Sequence, residues 1–394
     1  MKKIIYLLII FYGCQSEVPK EINFDFGDYQ FNSEIESLLN QTKDGGLAAT
    51  RFSFVSENKK LIKALSTNAD TIVRISKEKW NSIQSQYSFE DAKGYILQEA
   101  EKYDFLLINE AHFIPQHRNF VRQLIPELSK LGYSNLVLEG IGMMNHGEQF
   151  DKEIEQRGYP TTRSGFYIKE PEFGNLIREA VKYGFRIIGY DEGSGEDREI
   201  QGAKNILKAV EGSEGKTIVL CGWDHIKEVE TGTYWGFALA GRLRQYTGKD
   251  VLTVNQTAYY ERANRIYEDS IYQWTDFDQP KILVDSTRES FDVQENKEWY
   301  DLFVFHPRTK YLDGIPGWLA KESESEIVNR KFPIMDINCP CKLFVFQKED
   351  DIDKAVPTYI KEFVGTPSSM KIPKYGNNDI KMVISNRTKS YLIE

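Results

Sequence analysis

The chain has 394 residues, 28% of them charged and 41% hydrophobic, which suits one large α/β domain or two ordinary ones with proper cores and does not suit a disordered chain. Its formal net charge is -9 at pH 7 and its sequence pI is near 5.4. No Lys/Arg cluster is interleaved with aromatics, so a phosphate-backbone partner is disfavoured and nucleic acid is not expected.

At the start, Lys2 and Lys3 precede the apolar run Ile4 to Tyr12, too short to cross a bilayer and the right length for a secretory hydrophobic region, and Gly13-Cys14 follows. This resembles a bacterial lipoprotein signal, with Cys14 as the lipidated first residue of the mature chain. Phe11 and Tyr12 depart from the aliphatic and small residues usual in such signals, and an ordinary signal peptide or an uncleaved anchor is the alternative. Either implies an exported protein of the bacterial cell envelope, in the periplasm or at the outer membrane. A membrane is then a partner through the lipid on Cys14. Residues 1–14 form this signal segment, and no later run approaches membrane-spanning length.

Residues 15–103 are less periodic and lead into the core, with Asp44-Gly45-Gly46 marking a turn. Ser88-Phe89-Glu90-Asp91 predicts a helix start, with an N-cap and an acid three residues on, and Ala92, Ile96, Leu97 and Ala100 continue its apolar side. The strand Phe105 to Ile108 stops at Asn109-Glu110-Ala111-His112. Phe120, Val121, Leu124, Ile125, Leu128 and Leu131 then recur at helical spacing up to Gly132, and a second strand, Leu136 to Leu138, stops at Glu139.

A long loop from Gly140 to about Glu170 follows, of the kind that serves as a lid or binding loop. Leu176, Ile177, Ala180 and Val181 mark another helix. Phe185 to Tyr190 predicts a strand ending at Asp191-Glu192, Arg198 to Val210 a helix, and Thr217 to Cys221 a strand ending at Gly222-Trp223-Asp224-His225. Trp235 to Tyr246 predicts a helix, and Val251 to Val254, Lys281 to Val284 and Leu302 to Phe305 further strands. The alternation predicts an α/β class: a largely parallel sheet with helices on both faces over residues 104–341, an N-terminal helical segment, and a small C-terminal β extension over 342–394. Cys221 reads as a buried small hydrophobe, and Cys339-Pro340-Cys341 as a turn with unpaired thiols in preference to a metal site or a local bridge.

In open α/β sheets the ligand crevice lies beyond the carboxyl ends of the strands. Glu110, His112, Glu139, Asp191, Asp224 and His225 come from four such ends and are expected in one crevice, with His117 able to face the same mouth. A single acid at a strand end is more often a helix cap or a surface group, but four ends carrying acid or His are hard to explain as caps. Glu110, His112, Glu139 and His225 could bind a divalent metal that activates water, or His112 could act as a general base with a neighbouring carboxylate fixing its tautomer. His117 and Arg118 open a helix and are as readily solvated; His146 and His306 read as surface or structural. No Gly-x-Ser-x-Gly elbow or Walker-type loop is present, which disfavours serine α/β-hydrolases and P-loop enzymes.

Asn109-Glu110-Ala111-His112 with His117, Leu138-Glu139-Gly140 and Gly222-Trp223-Asp224-His225 resemble the motifs of the superfamily that joins erythromycin esterases, ChaN-type haem-binding lipoproteins and the TraB/Tiki proteins. Asp250 to Gln256 and Pro316-Gly317-Trp318-Leu319 are similar to later stretches of the same domain, so the resemblance covers about Asp104 to Leu319. It implies an α/β core and one of three activities. The esterase-like members imply water activation by His112 with Glu110 or Glu139 in support. The Tiki-like members imply a metal-dependent protease with Glu110, Glu139 and Gly222 to His225 at the metal. The ChaN-like members imply haem binding, in keeping with the lipidation signal; independently of the resemblance, His117, Asp191 and Asp224 are the candidate cofactor-binding residues at the strand ends. Asn109 departs from the glycine expected before Glu110, and no tyrosine matches a haem-iron ligand. The expectation is an exported hydrolase of an ester or amide in a small molecule or peptide, with haem binding or an inert scaffold as alternatives.

Overall fold

The computed structural model describes residues 19–65, 72–142, 151–191, 195–230, 235–291, 298–320, 325–365, 367–375 and 379–393; the signal segment with Cys14, and His146, lie outside them. The described residues open with the short strand β1 (Lys20–Ile22) and the helices α1 (Asn32–Thr42), α2 (Gly45–Phe54) and α3 (Asn58–Ala64), then α4 (Lys77–Gln84). It continues into β2 (Tyr87–Asp91), α5 (Ala92–Ala100), β3 (Phe105–Glu110), α6 (Pro115–Lys130), β4 (Tyr133–Leu138), α7 (Ile154–Arg157), α8 (Pro171–Lys182) and β5 (Arg186–Gly189). Next come α9 (Gly195–Val210), β6 (Lys216–Gly222), α10 (Leu239–Thr247), β7 (Leu252–Tyr259), β8 (Lys281–Asp285) and β9 (Leu302–Phe305).

Eight of these strands form one sheet in the order β2-β8-β9-β7-β3-β6-β4-β5. The run from β9 to β5 is parallel throughout, and β8 and β2 complete that edge antiparallel. The strands are apolar on both faces because both are covered. Leu106, Ile108, Leu136, Leu138, Ile218 and Leu220 pack against α5, α6 and α8, while the alternate residues Leu107, Val137 and Val219 pack against α9 and α10. This is the α/β architecture expected from the alternation of strands and helices.

Two local expectations differ. Ser88 to Asp91 belongs to β2, paired with β8, because Phe89 is needed in an aromatic cluster with Trp80, Phe277 and Phe305. The helix begins at Ala92, where the Asp91 carboxylate accepts the Gly94 N–H at 2.7 Å. The helix expected from Trp235 begins at Leu239.

The remaining chain forms a hairpin of β10 (Tyr311–Leu312) and β11 (Ile315–Pro316), then β12 (Ser325–Lys331), β13 (Cys341–Gln347), β14 (Tyr359–Phe363), β15 (Ser369–Tyr375), β16 (Ile380–Ser385) and β17 (Ser390–Ile393). A five-stranded sheet takes the order β1-β17-β16-β13-β14, in which the first and last described strands pair directly. Phe344, Phe346, Ile360 and Val383 on this sheet pack with Ile35, Phe52, Phe54 and Leu61 of the first three helices. Cys221 is buried as expected, but Cys339 and Cys341 form a disulfide in place of the expected unpaired thiols. Among the described residues no helix is long and apolar enough to cross a membrane.

Candidate functional site

The register of the parallel strands brings their carboxyl ends level. Glu110 at the end of β3 pairs with Gly222 at the end of β6, and Leu138 of β4 with Leu220 of β6. Past β3 the chain turns through Ala111 to Ile114 into α6, whose Pro115 stands in the first turn where no N–H partner is needed. This short turn folds His112 back, so that its Nδ1 lies 2.9 Å from Glu110 Oε1.

Arg118, one turn into α6, is completely buried and returns to the same carboxylate. Its Nε donates to Glu110 Oε2 at 2.5 Å and its Nη2 to Glu110 Oε1 at 2.9 Å and to the His112 carbonyl at 2.7 Å. Its Nη1 reaches Glu170 Oε2 at 3.2 Å, and the guanidinium lies over the Phe173 ring. Burial alone would raise the Glu110 pKa; the Arg118 charge and the bonds from His112 and Arg118 overcome it and hold the carboxyl at about 2.

Glu139 follows β4. Its Oε2 accepts the Gly222 N–H at 2.5 Å and its Oε1 accepts Arg198 Nη2 at 2.6 Å. Arg198 also grips Asp191, at 2.7 and 2.8 Å. Against the cost of burial, the charges of His225, His112 and Arg198 and the Gly222 N–H keep Glu139 below the usual carboxylate range.

Beyond β6 a turn from Trp223 to Ile226 carries His225 inward. His225 Nδ1 is 2.8 Å from Glu199 Oε1, and Glu199 Oε2 accepts the Leu239 N–H at 2.8 Å. The His225 ring stacks on Trp235 at 4.9 Å. Burial opposes its protonation, but the hydrogen bond to Glu199 and the charges of Glu139 and Glu199 prevail, so its pKa is raised.

The two halves meet at Glu139. His112 Nε2 lies 3.7 Å and His225 Nε2 3.8 Å from the same oxygen, Oε1. Both separations are too long for a hydrogen bond and suit a bridging water or substrate oxygen. Each Nδ1 lies within hydrogen-bond distance of a carboxylate oxygen, so a ring that donates from Nδ1 in its neutral form presents the Nε2 lone pair inward. Tyr167 stacks on His112 at 4.2 Å, and Trp223 meets the same ring edge-on at 4.7 Å.

A Cβ at Gly222 would lie 2.6 Å from His112 Nε2. Gly222→Ala is therefore expected to push the imidazole off Glu139. The check is the NMR spectrum of the His112 ring: a shift in that ring with the rest of the spectrum preserved is the expected result, and an unchanged ring would refute it.

The structure brings Glu110, His112, Glu139 and His225 together, with Asp191 joined through Arg198. It does not bring His117 or Asp224 to them. His117 is fully buried, its Nδ1 accepting the Ala111 N–H at 3.1 Å and its ring 4.9 Å from that of His306. Burial drives His117 well below its usual range and His306 to about 3, so both stay neutral. Asp224 points outward to Lys227 at 2.9 Å and Tyr300 at 3.2 Å. The strand-end pattern does not point to Glu199 or Arg198, nor to Tyr167, Trp223 or Trp235, and by sequence Arg118 is as readily solvated as buried. The signal for the first two was Asp197-Arg198-Glu199, alternating charges in the helix opening after β5, at the same rim.

The expected metal set of Glu110, His112, Glu139 and His225 does not fit a metal ion. Arg118 and His112 take both oxygens of Glu110, while Arg198 and Gly222 take those of Glu139. Among the described residues no group of three or more His, Cys, Asp or Glu side chains is arranged to hold one.

No protein-family model matches the chain, and no curated protein matches it. Several solved structures align with part of it. A structure of bacterial protein toxins aligns at 14% identity over 54% of this chain and 46% of that one, with a TM-score of 0.33. A Bacillus cereus protein aligns at 10% identity over 59% of this chain and 97% of its own, with a TM-score of 0.38. ChaN of Campylobacter jejuni, solved with cofacially bound haem, aligns at 11% identity over 60% of this chain and 99% of its own, with a TM-score of 0.31. The chain thus spans about half the length of the toxin structure, 46%.

Proposed function

We propose that this chain is a hydrolase of an ester or amide bond in a small molecule or peptide, using water activated between His112 and His225 without a metal. The observation that carries the reading is the symmetric arrangement Glu110–His112 and Glu199–His225, with both Nε2 atoms turned to Glu139 Oε1 at 3.7 and 3.8 Å. A histidine with Nδ1 fixed by a carboxylate and Nε2 free is the form that accepts a proton from water.

The two rings are not equivalent. Glu110 shares its charge with Arg118, whereas Glu199 and Glu139 together raise the pKa of His225. His112 is the general base and His225, in its protonated form, the general acid. His112 Nε2 takes a proton from water as the oxygen attacks the carbonyl carbon. His225 Nε2–H then protonates the departing oxygen or nitrogen as its bond to carbon breaks, leaving an acid and an alcohol or amine. This reading draws the esterase-like branch out of the superfamily resemblance. It is tested by assaying the purified chain against a panel of esters, lactones and peptides.

The assigned roles set the pH dependence. A raised His225 pKa means that the acid form persists to higher pH than an ordinary histidine, and turnover falls as pH rises through that value. Glu199→Gln removes the anion and the charge-assisted bond, so the alkaline limb of the kcat profile is expected to move to lower pH. A limb that stays in place would assign it to another group.

We also propose export and lipid anchoring through Cys14, supported by the charged, apolar and Gly13-Cys14 order of the first residues. Expressed in a bacterium, the full chain is expected to incorporate radiolabelled palmitate and to enter the detergent phase, and Cys14→Ser to do neither. Labelling that survives in Cys14→Ser would overturn the anchor.

A further inference from the structure

Trp223 is a site residue whose own backbone the fold strains. Its φ is +31°, in the left-handed region that side chains with a Cβ avoid. A buried clamp holds it there. Asn109, wholly enclosed at the end of β3, donates from Nδ2 to the Trp223 carbonyl at 2.8 Å and to Thr257 Oγ1 at 3.1 Å. Its Oδ1 accepts the Gln256 N–H at 2.8 Å, so the amide is fixed from three sides. A glycine at position 109 would leave the Trp223 carbonyl without this donor.

The outcome of that strain is an exposed ring. Trp223 is 39% exposed, while its indole stands edge-on to His112 at 4.7 Å and beside Phe113 at 5.8 Å. Strain maintained by surrounding structure concentrates where a side chain must be presented to a ligand. We propose that Trp223 is a substrate platform, on which a flat hydrocarbon face, an aryl ring or the C–H face of a sugar, stacks beside the bond to be cleaved. This rests on the hydrolytic reading of the same site. A group stacked on the indole lies next to the His112 ring, which places its ester or amide at the Nε2 that faces Glu139.

Saturation-transfer NMR on the full chain with phenol, methyl β-glucoside and tert-butanol tests this without requiring turnover. Phenol or the glucoside is expected to receive saturation well above tert-butanol from the wild type. The excess should vanish in Trp223→Ala and persist in Trp223→Phe. Loss confined to phenol assigns the aryl ring, and loss confined to the glucoside the sugar face. Asn109→Ala, which keeps the indole but frees its backbone, is expected to weaken the same signal. If Asn109→Ala does not fold, the exposed Trp223→Ala decides alone. Equal transfer in wild type and Trp223→Ala, or no probe above tert-butanol, would overturn the platform. An inert chain that still shows the Trp223-dependent signal would instead count against the hydrolytic reading.

Discussion

His112→Ala is expected to lower kcat by about 10²–10⁴, the range that a positioned general base contributes, while the chain remains folded. The ring is the group whose Nε2 is held toward Glu139 by a fixed Nδ1 partner, and alanine carries no proton acceptor at that position. Folding should survive because Glu110 keeps its two bonds from Arg118, and the His112 carbonyl keeps its bond from Arg118 Nη2. The measurement is kcat on whichever ester or amide the wild type turns over, beside a thermal melt. Undiminished turnover in a folded His112→Ala would remove this residue from the chemistry, and with it the reading of the site.

Arg118→Met is expected to be the most damaging single change to stability near the site. Removing one partner of a buried pair costs about 3–5 kcal/mol, because the other charge is left enclosed. Here the charge left enclosed is that of Glu110; Glu170, which burial lifts to about 7, loses the same partner. The pH dependence has a definite sign. Glu110 is held at about 2 in the folded protein, so its contribution is fully present above the ordinary carboxylate range and is lost as pH falls toward that value. Without Arg118 burial raises the Glu110 pKa, so the gap between wild type and variant should be widest near neutral pH and narrow in acid. Urea unfolding of both proteins at several pH values measures it. A gap that widens in acid would show that Arg118 does not act through Glu110.

The legible parts of this site were those written at strand ends. Glu110, Glu139 and His225 each follow an apolar run that stops abruptly, and a parallel sheet brings such stops to one edge whatever the helices between them do. His117 was misjudged because five residues beyond His112 falls after the turn into α6, where the helix rotates the ring into the core against His306. Asp224 was misjudged for a similar reason. In the turn from Trp223 to Ile226 neighbouring side chains diverge, so His225 turns inward to Glu139 and Glu199 while Asp224 faces Lys227 and Tyr300. The metal set failed on partners that spacing does not reveal, since Arg118 and Arg198 lie on helices whose register against the strand ends is a matter of packing.

By itself, the sequence determined the class of fold, the edge of the sheet at which ionisable groups collect, and the four residues Glu110, His112, Glu139 and His225 that meet there. Those follow from hydrophobic period and strand termination, which are local. Only the tertiary structure decided that Glu199 completes the second histidine, that Arg118 and Arg198 occupy the carboxylates, and that β1 and β17 share one sheet. Each of these joins residues distant in sequence or carried on separate elements. Such a pairing is selected by the desolvation of buried charges and by sheet edges that need partners, and no local pattern records which partner is met.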